Sequence, residues 1–545
     1  MSKCSFARVL SGLALVLLAG CSADGGGKGE PGPTPEVEGA SFELSVDATK
    51  LPIVQGSTAE LAVEVVRKNG FEGAVVVTAS GLPAGAAMTS VTIPEGETEA
   101  SLVFSALPDA PHSLPSAVTL RGSSTAIQKE LALTVTVCGL PGALDTSFEG
   151  GRVVVPVGAG EDYAYAIAAQ SDGKLLVAGS SAENQGDFAL VRLQRDGALD
   201  SSFGQGGKVT TPIGAGTDVA RAIAIQSDGK ILLAGSSVGT GTGTDFALAR
   251  YTSDGRLDTS FGDGGKVVTA LSNDADVAYA LMLQKDGKIV LGGQVNNGAS
   301  ATGLDFALVR YDSNGTLDAT FGTQGHVFSA LAQNSGSDVV YSLVGQMVEG
   351  EERLVAAGGE GDFALARFTA SGALDATFGA NGKVVGLLGS VIGAARAVRV
   401  TAQGELLVAG HKAHDFALAR LTEDGELDAT FGTKGITITP ITENWDEAQA
   451  LQIDAEGKIV LGGWAYEGSS SSGNFALARY SPLGQLDQSF GTGGIAVTPV
   501  ASGTKDDAAN AVLLSMDDRV PTVRILLAGS ANGSNHDFAV TRYWR

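Results

Sequence analysis

The sequence is poor in the residues that build metal-held or disulfide-held folds. Three Cys and five His are scattered through 545 residues, which leaves no spacing for a multi-ligand zinc site and no disulfide framework. Proline is scarce, 16 against 76 Gly, and no Gly-X-Y period occurs, so the chain is not collagen-like. Only 18% of residues are charged and 6% aromatic, and 36 basic residues face 60 acidic ones, a formal net charge of −24. Such a field repels phosphate backbones, so no nucleic acid partner is expected. What the chain has in quantity is Gly and 44% hydrophobic residues. Gly at that level disfavours long helices and predicts an all-β chain with many tight turns, in about two or three domains.

The first 20 residues carry Lys3 and Arg8, then the apolar run Val9–Ala19. That run is too short to span a bilayer and has the form of a signal peptide. It ends Leu18-Ala19-Gly20-Cys21, which resembles the lipobox of bacterial lipoproteins. The resemblance implies cleavage before Cys21, lipidation of that thiol and anchoring to the cell envelope, the membrane being a partner through the lipid. Loss of residues 1–20 would leave 34 basic and 60 acidic residues, with Cys138 as the remaining thiol beside a lipidated Cys21. No intrachain disulfide is then expected, and Cys138 reads as a small buried residue at a domain junction. Residues 21–39 are Gly/Pro/acidic and read as a flexible tether.

Residues 40–137 alternate with period two, as in Leu61, Val63 and Val65 against Glu60 and Glu64. About seven such runs, separated by turns such as Gly81-Leu82-Pro83-Ala84-Gly85, predict an immunoglobulin-like β-sandwich acting as a spacer.

Residues 138–545 are self-similar. L-D-x-[ST]-F recurs at Leu144, Leu199, Leu257, Leu317, Leu374, Leu427 and Leu486, at intervals of 53 to 60 residues. The best-formed copy reads LDSSFGQGGKVTT, DVARAIAIQSDGKILLAGS, a loop, then DFALARYTSDG. These ordered blocks resemble the delta-60 repeat family of bacterial secreted proteins. That resemblance implies a β-propeller and brings no assigned chemistry. Four strand-like runs per repeat point the same way, and a β-solenoid would need shorter coils. Pairs such as Ala164/Ala166 and Ala220/Ala222, read with period two, give the second run a thin face and make it the innermost strand. Because an outer-type strand, residues 152–157, precedes the first inner one, the fold class is a seven-bladed β-propeller closed by an N-terminal outer strand, preceded by the sandwich. The glycines two before L-D, in GxGG, in the hairpins and after KILLA read together as a sevenfold turn pattern.

Candidate residues fall into three sets. Arg192, Arg250, Arg310, Arg367, Arg420, Arg479 and Arg542 stand at strand ends, and Asp145, Asp200, Asp258, Asp318, Asp375, Asp428 and Asp487 in the L-D turns. Residues present in every repeat serve what every blade needs, and these are expected to be structural ion pairs. Individuality lies in the loops of one face. There Trp445, Asp446, Trp464, Tyr466, His411, His414 and His536 form a candidate binding face, and Tyr165, Arg221, Tyr279, Tyr341, Arg396, Gln449 and Asn510 are candidate channel-lining residues. Aromatic and amide groups around a shallow funnel suit a glycan or a protein loop. The Asp-Gly pairs at 172, 228 and 286 read as hairpins, not calcium loops. No catalytic set, metal or cofactor is expected, and Gly235-Ser-Ser-Val-Gly239 lacks the helix a nucleophile elbow needs. The expectation is a monomeric, surface-anchored, non-enzymatic protein- or glycan-binding module. The alternatives are a propeller enzyme acting on polysaccharide or peptidoglycan, and a purely structural envelope protein.

Overall fold

The computed structural model describes residues 39–125, 127–182, 186–239, 243–296, 303–331, 338–359, 361–389, 393–467, 472–501, 506–517 and 522–545. The signal segment, Cys21 and the tether up to residue 38 lie outside the described residues. Among the described residues no helix is long and apolar enough to cross a membrane.

Residues 41–138 form two sheets, of four and five strands. Thr58–Lys68 buries Leu61, Val63 and Val65 and exposes the residues between them, the alternation of a sheet with one wet face. The nine strands exceed the seven runs read from sequence because short three-residue strands, Ala86–Met88 and Val91–Ile93, extend the edges. The last strand, Ile127–Cys138, also pairs in parallel with Lys50–Val54.

The other described residues form seven four-stranded sheets. In the first, inner strand Asp162–Ala169 is followed by Leu175–Ser181, Asp187–Leu193 and outer strand Lys208–Thr211. The other inner strands are Asp218–Ile225, Val277–Leu283, Val340–Val348, Gly393–Val400, Asp446–Ile453 and Ala508–Asp517. The third strands are buried along all or nearly all of their length, as in Asp187–Leu193. Both faces are covered by neighbouring sheets, which is why DFALAR is a continuous apolar run rather than an alternating one.

The cores lie between sheets, not within them. Leu176, Phe188 and Phe203 of the first sheet pack with Leu233, Ala247 and Tyr251 of the second. The same arrangement repeats around to the seventh sheet, whose Leu526, Phe538 and Val540 pack on Leu175, Val177 and Val191 of the first. The outer strand of the seventh sheet is Arg152–Val155, antiparallel to His536–Trp544. Where the chain leaves the sandwich, Cys138, 3% exposed, lies in one apolar cluster with Trp544, and the His112 ring stands 5.1 Å from that indole.

Two expectations need correction. Every inner strand carries a register shift, as between Ala164 and Ala166 or Ala220 and Ala222. The bulge adds one residue and puts the two alanines on opposite faces, Ala164 in the core toward the seventh sheet and Ala166 in that toward the second. The Gly after KILLA is not a turn residue either. Gly179, Gly235, Gly293, Gly358, Gly410 and Gly529 lie within second strands opposite those bulges. A Cβ on Gly235 would stand 1.8 Å from the Val219 carbonyl oxygen, so only Gly leaves room for the bulged backbone.

Candidate functional site

The seven Arg and seven Asp meet one to one. Guanidinium–carboxylate distances are 2.7 Å for Arg192–Asp200, 2.9 Å for Arg250–Asp258 and 2.8 Å for both Arg310–Asp318 and Arg367–Asp375. They are 2.6 Å for Arg420–Asp428 and 3.0 Å for both Arg479–Asp487 and Arg542–Asp145. The other carboxylate oxygen accepts the hydroxyl two residues on, as from Ser202 to Asp200 at 2.7 Å. Each guanidinium also lies over the Phe of L-D-x-[ST]-F, 4.4 Å from the Phe203 ring centre for Arg192. Besides closing its own turn, this group ties sheet to sheet. Arg192 donates to the Ser253 carbonyl of the next sheet at 2.7 Å, and Arg542 to that of Arg195 at 2.5 Å. A second cation, unnoticed in the sequence, joins most of these pairs: Lys174 on Asp200 at 3.1 Å, Lys288 on Asp318 at 2.6 Å, Arg524 on Asp145 at 2.8 Å. Burial alone would raise the Asp200 carboxyl, but the Ser202 and Lys174 hydrogen bonds and the Arg192 charge outweigh it and hold it well below the usual range. The Ser260 hydroxyl bond, opposed by burial and helped by Arg250 and Lys230, keeps Asp258 down to about 2.

The bulges define a different layer. Residues 165, 221, 279, 341, 396, 449 and 510 are the skipped ones, the seven candidates read from sequence. Bulges re-aim side chains, and here consecutive sheets bring five of them into a row. The Arg221 guanidinium lies 5.2 Å from the Tyr165 ring centre and 4.8 Å from that of Tyr279. Tyr279 and Tyr341 meet edge to face at 5.1 Å, and Arg396 lies 4.1 Å over Tyr341. Asn510 donates to the Ala164 carbonyl at 2.8 Å, between the seventh sheet and the first. The row follows the inner strands near their starts, hence near the face where loop lengths differ.

The candidate face divides. His414, in a two-residue turn where Ala413 and His414 both have positive φ, meets Trp445 with ring centres 4.4 Å apart and planes tilted by 60°. Trp445 is 6.3 Å from Trp464, and Trp464 5.0 Å from Tyr466. These four form one aromatic cluster, with Trp445 40% exposed at its tip. Trp464 and Tyr466 end the second strand Ile459–Tyr466 instead of lying in a loop. Asp446 leaves the face: it is fully buried and accepts the Ile441 and Thr442 amides at 2.7 and 2.8 Å. Asp162, Asp218 and Asp276 cap their own loops in the same way, a repeat-wide role hidden by reading Asp446 as individual. His411 is buried, its Nδ1 3.2 Å from Glu447, which pairs with Arg396 at 2.6 Å. Burial would raise the Glu447 carboxyl, yet His411 and Arg396 hold it below its ordinary value. Glu447 was missed by sequence reading. It stands opposite Trp464 in register and joins the aromatic cluster to the bulge row. His536 is not part of the cluster but sits on Glu161 at 2.6 Å and Tyr163 at 3.3 Å. Among the described residues no group of three or more His, Cys, Asp or Glu is placed to hold a metal ion.

Six stretches, residues 170–203, 226–261, 284–321, 353–378, 402–431 and 455–490, match the family model described as a domain of unknown function (DUF5122) beta-propeller. No curated protein matches the chain. Among solved structures, domains 4 and 5 of the S-layer protein SbsC are 17% identical over 18% of this chain and 53% of that one, with a TM-score of 0.15. Prolyl oligopeptidase B from Galerina marginata is 9% identical over 83% of this chain and 55% of that one, with a TM-score of 0.33. A DUF4784 family protein from Bacteroides caccae is 11% identical over 89% and 92% of the two chains, with a TM-score of 0.20. The chain thus spans about half the length of the SbsC fragment and of the oligopeptidase it matches. Each of the six family matches ends at the Phe of an L-D-x-[ST]-F turn, and on that repeated unit the chain is a β-propeller repeat protein.

Proposed function

We propose that this is a lipid-anchored, non-enzymatic envelope protein whose propeller binds a protein or glycan at its variable face. In this reading Cys21 carries the lipid, residues 22–39 are the tether, and residues 40–137 are an immunoglobulin-like spacer. Residues 138–545 are a monomeric seven-bladed propeller of delta-60 repeats closed by Arg152–Val155. The observation that carries the binding role is the line from exposed Trp445 through Trp464 and its cross-strand neighbour Glu447 to Arg396 and Tyr341. Aromatic faces with polar edges, set on a rigid ring, are the groups that bind sugars and protein loops. Their confinement to one face contrasts with the Arg–Asp pairs, which every blade repeats. The test compares capture of glycans and extracellular proteins by the full chain and by a W445A/W464A/Y466A variant of unchanged melting temperature. Ligands lost by the variant support the reading; identical capture by both overturns it.

A further inference from the structure

We propose that Arg221 is the anion-binding centre of the bulge row, and that the variable face takes a largely neutral glycan bearing a carboxylate sugar of the uronic acid type. This deepens the binding reading above and rests on it. The two bulge-row arginines differ in their surroundings. Arg396 is neutralised, its Nε 2.6 Å from the buried Glu447. Arg221 occupies the same position three blades earlier, yet among the described residues no carboxylate stands within ion-pair distance of it. Its Nε is shielded from solvent and donates to no acceptor among the described residues, a costly state for a charged donor. Meanwhile Tyr165 and Tyr279 lie 5.2 and 4.8 Å from the guanidinium and fix the planar group. An Arg so held, half-buried with its Nε shielded, offers its terminal Nη groups as a preformed fork for a carboxylate.

The chemistry of the row narrows the ligand. Tyr165, Tyr279 and Tyr341 supply rings that stack on sugar faces, and Gln449 and Asn510 place amides in the same layer. The net charge of −24 disfavours polyanions such as nucleic acids or heavily sulfated chains. A single carboxylate on an otherwise neutral saccharide meets Arg221 without facing the acidic surface along its length. Every inner strand carries this bulge, and in the second sheet the residue placed on it is Arg221. The bulge aims residue 221 where an unbulged strand would turn it into the core, and Gly235 leaves room for that backbone.

The experiment uses the full chain and measures binding of methyl glucuronoside, its methyl ester and methyl glucoside by ligand-observed NMR. The glucuronoside is expected to bind at least tenfold more tightly than the ester or the glucoside. Arg221→Gln should abolish that preference, and Arg221→Lys should keep part of it, since it retains charge without the fork. The ester comparison needs no variant, so a misfolded R221Q leaves the proposal testable. Equal affinity for the acid and its ester overturns it, as does an unchanged preference in R221Q. N-acetylglycine binding as tightly as the glucuronoside also overturns it, by pointing to a peptide terminus. If acid and neutral sugars bind alike and both are lost in W445A/W464A/Y466A, the binding face stands and Arg221 falls. If none of the three sugars binds, the proposal is overturned while protein capture remains a separate question.

Discussion

Replacing Arg310 and Arg420 by Ala in separate variants should have unequal effects, and the difference follows from one neighbouring residue. Arg310 is 6% exposed and donates to Asp318 at 2.8 Å, to Thr320 and to the Ala370 carbonyl of the next blade, with its guanidinium 4.6 Å over Phe321. Removing one partner of a buried ion pair costs roughly 3–5 kcal/mol, because the other charge is left uncompensated. At Asp318 it is not wholly uncompensated, since Lys288 remains at 2.6 Å. We therefore expect Arg310→Ala to cost about 2–3 kcal/mol. In the fifth blade the residue in the place of Lys288 is Glu405, 3.8 Å from Arg420. Arg420→Ala leaves Asp428 without that cation and sets two carboxylates near each other. Its cost should be larger by about 1 kcal/mol, moderated by the 16% exposure of the Asp428 side chain. Guanidinium unfolding followed by far-UV circular dichroism measures both. A larger loss in Arg310→Ala, or losses below about 0.5 kcal/mol in both, would refute the reasoning and make these pairs ordinary surface contacts.

Two further outcomes follow. Gly235→Ala puts a Cβ 1.8 Å from the Val219 carbonyl oxygen, while Gly264→Ala meets nothing within 4 Å at φ +59°. The first should cost about 3 kcal/mol or more by displacing backbone, the second about 1 kcal/mol of left-handed strain, and thermal melts that rank them the other way would remove the bulge argument. Acid should act in two stages. Asp415, Asp446 and Asp537, pushed up chiefly by burial, bind protons better when folded, so stability rises slightly as pH falls through their folded values. The L-D carboxyls sit below their ordinary values, Asp258 at about 2, so their contribution is complete above pH ~4. It is lost as pH falls further through their folded values. Melting temperature against pH should show a shallow maximum above pH ~4 and a steep fall below it; a monotonic decline from neutrality would contradict the assignment.

The comparison between sequence and structure turns on how far apart interacting residues lie. The sequence by itself determined the repeat, the strand runs and the partnership of each Arg with an Asp. These are set by spacing within a single repeat, where Arg192 and Asp200 are eight residues apart. It also picked out residues 165 to 510 of the bulge row, because they vary where their neighbours do not. Period-two reading failed at the Ala pairs, since a bulge is invisible to a pattern that counts alternation. It failed at Gly235, read as a turn residue when the close approach of the Val219 carbonyl is what requires it.

Only the tertiary structure decided which scarce residues meet. His411, His414 and His536 looked equivalent, yet one is buried on Glu447, one meets Trp445 and one lies between the seventh sheet and the first on Glu161. Asp446 looked individual until its amide contacts showed it capping a loop as Asp162 and Asp218 do. The contact of Arg192 with Ser253 crosses from one blade to the next. Such pairs are fixed by how stacked sheets twist and converge, and local propensity carries no information about that. The repeated sequence specifies the unit, and the packing of unit on unit places the side chains that make one face individual.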